Sequence, residues 1–242
     1  MLADYKRMLS WKINAPLHFA ILNFIGETSV NEPALLKVDW LDQVNGLTEW
    51  NSKVSHWRIL FHFHFFSLIL GVFFGRFDLA LSSLRELPPW NKAMSGLLEP
   101  CRLFFAGFVY LNNKKSGYRQ KGQAAVKRLR KLADEGAVNC RHMYMILKAE
   151  ALASSWANVD SVRTAYDNAI NAAAELGVCH HEALANERVG RYLANKARQP
   201  EASLIYLARA MRLYEKWGAM AKLKEVESIY DGLKKASKDS IQ

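Results

Sequence analysis

Cysteine, proline and glycine are all scarce in this 242-residue chain, at 3 Cys, 6 Pro and 13 Gly. The three cysteines, Cys101, Cys140 and Cys179, are odd in number and far apart. They supply neither a disulfide framework nor a metal-spaced set, and a reducing cytoplasm fits them best. Few breakers, with apolar residues recurring at three and four nearly throughout, favour an all-α fold over a sheet.

Catalytic signatures are missing as well. No G-x-x-x-x-G-K-[ST] loop, Gly-rich strand–helix turn, H-R-D, D-F-G or G-x-S-x-G stretch is present, so nothing here holds and cleaves a nucleotide or presents a nucleophile. The paired acids Asp134-Glu135 sit in a polar turn with nothing to raise a carboxyl pKa. His62 and His64, at i and i+2, point to different sides of a helix. Cys179-His180-His181-Glu182 is the densest ligand-like cluster, but neighbours at one helix start cannot all reach one ion, and Glu182 is a natural first-turn acid. The sequence predicts no catalysis, no metal and no cofactor.

A membrane-length run is also lacking. A span needs about 18 consecutive apolar residues; in Val54 to Phe77 the residues Arg58, His62 and His64 interrupt, and 11 residues lie between His64 and Arg76. A buried helix is expected there. The opening MLADYKRMLSWK has no long apolar core with a small-residue cleavage site and makes a poor signal peptide.

What is present is helical periodicity, clearest from Ala183 to Leu223. From Pro200, suited to a helix's first turn, the residues Ala202, Tyr206, Ala210, Leu213, Tyr214 and Trp217 step by three and four along one face. Gly218 follows, where a left-handed residue commonly closes a helix. A shift of 37 residues places Leu147 on Leu184, Glu150 on Glu187, Asn158 on Asn195, Ala165 on Ala202 and Ala173 on Ala210. That spacing suggests a tetratricopeptide-like unit slightly longer than usual, with chance alanine matches as the bland alternative. The residues expected to carry repeat packing are Leu147, Glu150, Ala165, Ala169, Ala173, Leu184, Glu187, Ala202, Tyr206, Ala210, Tyr214, Trp217 and Gly218. Stacked antiparallel hairpins in a tetratricopeptide-like right-handed solenoid follow as the expected architecture.

The net charge of +10 is local. Residues 1–112 carry 10 basic and 9 acidic groups, residues 113–141 carry 9 and 2, and residues 142–242 carry 14 and 12. Within the basic segment Ala125, Leu129 and Leu132 share one helical face, while Lys127, Arg128, Arg130 and Lys131 lie elsewhere. Such a strip can touch RNA, anionic lipid or an acidic partner; it can equally be a solvated outer face, since Tyr118 alone interleaves the charges and single-strand binders offer several rings.

Five segments result: a helical connector over 1–53, in which Ala34 to Trp50 reads as helix; apolar hairpins over 54–112, with Pro88-Pro89 as a stop and Pro100 kinking or dividing the next pair; the basic loop and amphipathic helix over 113–141; a repeat pair with a capping helix over 142–233; and a polar tail over 234–242.

Tyr144 to Ala151, Ala165 to Ile170, Glu182 to Glu187, Tyr206 to Ala210 and Tyr214 to Leu223 together resemble the helical-repeat region of large multidomain signal-transduction ATPases, in which a Ser/Thr-kinase-like domain and an AAA/STAND-type ATPase precede tetratricopeptide-like repeats. Leu22 to Glu27, with Asn31-Glu32-Pro33, is similar to the start of that region. The likeness is dense from Tyr144 to Leu223 and loose before Asn113. It implies a fragment or free-standing relative of the repeat region, a non-catalytic scaffold contacting proteins or adjoining domains of a signalling ATPase or kinase. The family's ATPase and kinase motifs are absent, so neither activity carries over. The alternative expectation is a nucleic-acid or anionic-surface binder acting through residues 114–131.

Overall fold

A computed structural model describes residues 17–27, 32–36, 56–87, 98–155 and 157–239. Among these, ten helices and no strand occur. The chain divides into two compact units, Met1–Ser95 and Gly96–Gln242. The expectations for residues 1–14, for helix over 37–50, for the stop at Pro88-Pro89 and for the last three residues fall outside the described residues.

In the first unit, α1 covers 17–25 and stops at Gly26 (φ 88°), where the Glu27 N–H reaches back to the Leu22 carbonyl at 3.0 Å. Its inner face is Ala20, Asn23 and Phe24. Asn23 donates to the carbonyls of Pro33 (3.0 Å) and Leu35 (2.9 Å), which holds residues 32–36 as a turn. The helix expected from Ala34 therefore does not begin there, because those carbonyls are engaged by a side chain instead of a helical ladder.

α2 (His56–Phe73) and α3 (Phe77–Glu86) form a hairpin. Phe61, Phe65, Leu68, Leu70, Val72 and Phe73 are buried and lie on more than one side of α2, as expected of a helix that is apolar all round. Phe24 meets Phe73 edge-on (centroids 5.3 Å) and stacks on Phe74 (5.7 Å). Arg76 forks onto Asp78 at 3.2 and 3.1 Å and pairs with Glu32. Among the described residues no helix is long and apolar enough to cross a membrane.

The second unit holds seven helices in a row: α4 (Leu98–Leu111), α5 (Tyr118–Asp134), α6 (Cys140–Ala153), α7 (Val159–Glu175), α8 (Cys179–Asn195), α9 (Pro200–Trp217) and α10 (Met220–Asp239). Each packs on the next, and α4 also packs on α6 and α6 on α8. The core is a layer of Phe104, Phe108, Leu129, Ile146, Leu147, Tyr166, Leu184 and Tyr214, all essentially sealed from solvent. Two boundaries differ from expectation. α4, grouped by its apolar content with 54–112, belongs to the second unit, and Pro100 neither kinks nor divides it: it sits in the first turn, where its missing N–H costs nothing. The segment from Lys234, expected as a polar tail, continues α10 to Asp239.

The turns explain the regularity. Gly136, Gly177 and Gly218 all have positive φ (97°, 68° and 82°) and close α5, α7 and α9. In each case the N–H of the residue after glycine reaches a carbonyl five back, Ala137 to Leu132, Val178 to Ala173 and Ala219 to Tyr214, at 2.9–3.0 Å, the bonding of a Schellman stop. These glycines stand 41 residues apart, as do the helix starts at Tyr118, Val159 and Pro200. The outer helices therefore recur at 41 residues, four more than the 37-residue shift, whereas the inner helices α6 and α8 start 39 apart and the buried carboxylates Glu150 and Glu187 stand 37 apart. Four residues are about one helical turn, so the shorter shift still lays buried faces on buried faces while misplacing the ends.

Candidate functional site

Alternate helices are fastened to one another by charge. Glu150 on α6 is 1% exposed, and an isolated carboxylate could not remain ionised there. It receives Nε and Nη2 of Arg188 from α8 at 2.7 and 3.0 Å, Nδ2 of Asn112 just past α4 at 3.1 Å, and a short hydrogen bond from the Tyr166 hydroxyl of α7. Burial pushes its pKa up, but Arg188 and these donors outweigh it and hold the carboxyl below its usual range. The Tyr166 hydroxyl is driven well above its usual value by burial and by Glu150.

One step along, Glu187 on α8 receives Tyr214 (2.7 Å), Lys222 of α10 (2.8 Å) and Arg191 (2.7 Å), and Glu225 bridges the two cations at 2.6 and 2.7 Å. Burial raises the Glu187 pKa, and Lys222 and Arg191 overcome that and bring it to about 2. Lys222 is fully buried, a tolerable state only because two carboxylates share its charge.

Histidines occupy the same seam. His142 of α6 and His181 of α8 meet through Nε2 and Nδ1 at 2.8 Å, both buried, with Phe104 against the His181 ring (4.6 Å). Burial lowers the His142 pKa to about 4 and that of His181 well below the usual value, with His180 adding to both. Both rings are thus neutral at pH 7, and Nδ1 of His142 is buried without a hydrogen-bond partner. His180 lies against Trp217 (5.3 Å, 30°). Among the described residues no three His, Cys, Asp or Glu side chains stand close enough to share a metal.

The surface feature built on this frame is a cavity of about 440 Å³ over α6. Arg141, Tyr144, Met145 and Lys148 step by three, one and three and so form one face of α6. α5 contributes Ala133 and Asp134, the following loop Val138, and α7 contributes Ala165 and Asn168. Val138 is 64% exposed. Asp134 pairs with Arg130 at 3.6 Å, whereas Arg141 and Lys148, both exposed, have no acidic partner among the described residues. The cavity therefore presents an apolar floor between two uncompensated cations about 10 Å apart along the helix.

The basic strip is differently employed. Arg128 reaches Glu99 of α4 at 3.3 Å, Arg130 pairs with Asp134, and Lys131 with Glu135 at 3.6 Å; Lys127 is exposed. At the start of α5, Tyr118 stacks on Tyr110 (5.6 Å, 16°) with Lys121 over both rings at 5.4 and 5.7 Å. The ring that the sequence placed alone among the charges thus has a companion, but the two faces are turned to each other.

Of the residues expected to pack the repeats, Leu147, Ala169, Ala173, Leu184, Ala210 and Tyr214 are buried to the last, and Glu150 and Glu187 are the buried carboxylates already described. Tyr206 donates to Asp167 across α7 and α9 at 2.7 Å, and burial with that carboxylate pushes its pKa up to about 12. Ala165 and Ala202 are both half-buried, Ala165 facing the cavity. Trp217 is half-buried against His180, and Gly218 is the left-handed stop. Sequence reasoning missed Arg141, Tyr144, Met145 and Lys148 as a group, although their helical spacing was visible. It also missed the basic partners Arg188 and Lys222.

Among the described residues the chain is thus all-helical, and its second unit carries charge-fastened alternate helices. No family, no curated protein and no solved structure matches it.

Proposed function

We propose that residues 96–242 form a non-catalytic interaction scaffold, a tetratricopeptide-like stack of hairpins that holds a protein or an adjoining domain of a signalling ATPase or kinase in the cytoplasm. The observation that carries the reading is the open cavity over α6 on the helical row. The strongly displaced carboxyls and tyrosines support it too, since they are engaged with one another across helices, a use that fixes shape. A regular row of short-linked hairpins offers extended surface for a partner.

A photoreactive amino acid placed at Val138, at the cavity's rim, tests this in cells. The expected adduct is a polypeptide with ATPase or kinase motifs. An adduct with nucleic acid, or none, overturns the scaffold.

The second reading, a nucleic-acid or anionic-surface binder, is favoured by Lys114, Lys115, Arg119 and Lys121, all exposed around the Tyr110–Tyr118 stack. It requires steep salt dependence and loss of binding when Lys127, Arg128, Arg130 and Lys131 are neutralised together.

A further inference from the structure

We infer that the cavity over α6 receives an internal acidic segment of a partner protein, two carboxylates seated on Arg141 and Lys148 with an apolar side chain between them on Tyr144 and Met145. The inference rests on the scaffold reading and names the chemistry of its partner.

Three observations converge on that occupant. The charged side chains of the inter-helix seam are compensated: Glu150, Glu187, Arg188, Arg191, Lys222 and Glu225 all sit in ion pairs. Arg141 and Lys148 stand on the rim of the cavity with no acidic partner among the described residues, and the carboxylate that lines it, Asp134, is occupied by Arg130. Between them the floor is Tyr144, Met145, Ala133 and Ala165, apolar and only partly covered. Methionine and tyrosine there suit an irregular aliphatic or aromatic side chain, because one adapts its shape and the other gives a rigid wall.

Spacing decides between ligand types. Two cations two helical turns apart match carboxylates set at a similar interval on a peptide, and a phosphate chain would have no use for the apolar floor. The surrounding segment, with 9 basic against 2 acidic residues over 113–141, steers an acidic chain inward and a basic one away.

The test uses the full chain and a short fluorescein-labelled peptide with two glutamates two helical turns apart and leucine and phenylalanine between them, read by fluorescence anisotropy at low salt. The expected result is saturable binding, at least about tenfold weaker for the same peptide with glutamine in place of glutamate, and weaker again as salt rises. Arg141→Glu with Lys148→Glu lowers affinity about tenfold or more, and Met145→Ser lowers it severalfold. Lys127→Glu, a charge change outside the cavity, leaves it within about twofold. Circular dichroism confirms folding, and Arg141→Gln with Lys148→Gln replaces the reversal if it unfolds the chain.

Absence of binding, equal binding of the glutamine peptide, an equal loss in Lys127→Glu, or displacement of the peptide by single-stranded RNA overturns the inference. The two readings fail separately. If the Val138 adduct with a protein forms while the acidic peptide does not bind, only the partner chemistry is lost; if neither occurs, the scaffold is lost as well.

Discussion

Arg188 grips Glu150 through Nε and Nη2 and, with the same Nη2, donates to the side-chain Oδ1 of Asn112 at 2.9 Å. One guanidinium therefore joins α8, α6 and the residue just past α4, spanning 76 residues of sequence. The fork geometry of arginine is what allows one side chain to serve all three.

Removing that guanidinium leaves a buried carboxylate without its cation. Arg188→Met is expected to destabilise the second unit by about 3–5 kcal/mol in urea unfolding, and Arg188→Met combined with Glu150→Leu to recover much of the loss, because the apolar pair leaves no stranded charge.

Lys222 makes a parallel case with a spectroscopic readout. In Lys222→Met, Glu187 keeps Arg191 and Tyr214 but loses the first of the charges that hold it at about 2. Its pKa, followed by carboxyl NMR, should rise toward the ordinary carboxylate value. A Glu187 that still titrates near 2 would exclude Lys222 as the dominant influence.

Acid sensitivity should come in two stages. His142 and His181 are neutral when folded and take protons more readily when unfolded, His142 at about 4 folded against about 6.5 unfolded. The unfolded chain binds more protons in that window, so stability falls as pH drops from about 6.5 to about 4, by up to about 3 kcal/mol for His142. Glu187, whose folded pKa is depressed to about 2, contributes stability above its unfolded value of 4.5 and loses it only below that. Urea titrations at successive pH values should show the first loss above pH 4.5, and His142→Leu should reduce it.

A backbone contact limits the first unit. A methyl group added at Gly71 would stand 2.9 Å from the Ala80 backbone nitrogen and 2.8 Å from its Cβ; neither can swing aside as a side-chain tip can. Gly71→Ala should therefore pry α2 from α3 at a cost of about 1–3 kcal/mol, seen as faster amide exchange across 56–87.

Legibility in the sequence followed the range of the forces involved. α9 was readable from Pro200 to Gly218 because both of its end signals are local, and the all-helical class followed from periodicity alone. The 37-residue shift matched the buried carboxylates Glu150 and Glu187 of the inner helices, whereas the ends of the outer helices recur at 41, marked by the three glycines Gly136, Gly177 and Gly218. His142 meeting His181, and Arg188 meeting Glu150, depend on how α6 and α8 settle side by side, which no short window encodes. The concavity over α6 needs α5, its loop and α7 at once, and for that reason Arg141 and Lys148 passed as ordinary surface charges.

The two polar joints also differ in composition: one couples an arginine to a glutamate and an asparagine, the other a lysine and an arginine to two glutamates. Each junction is accordingly keyed. Were the last hairpin to dock one position early, Lys222 would leave Glu187 and be sealed away short of a carboxylate, so a slip between the same greasy surfaces carries the cost of a stranded charge.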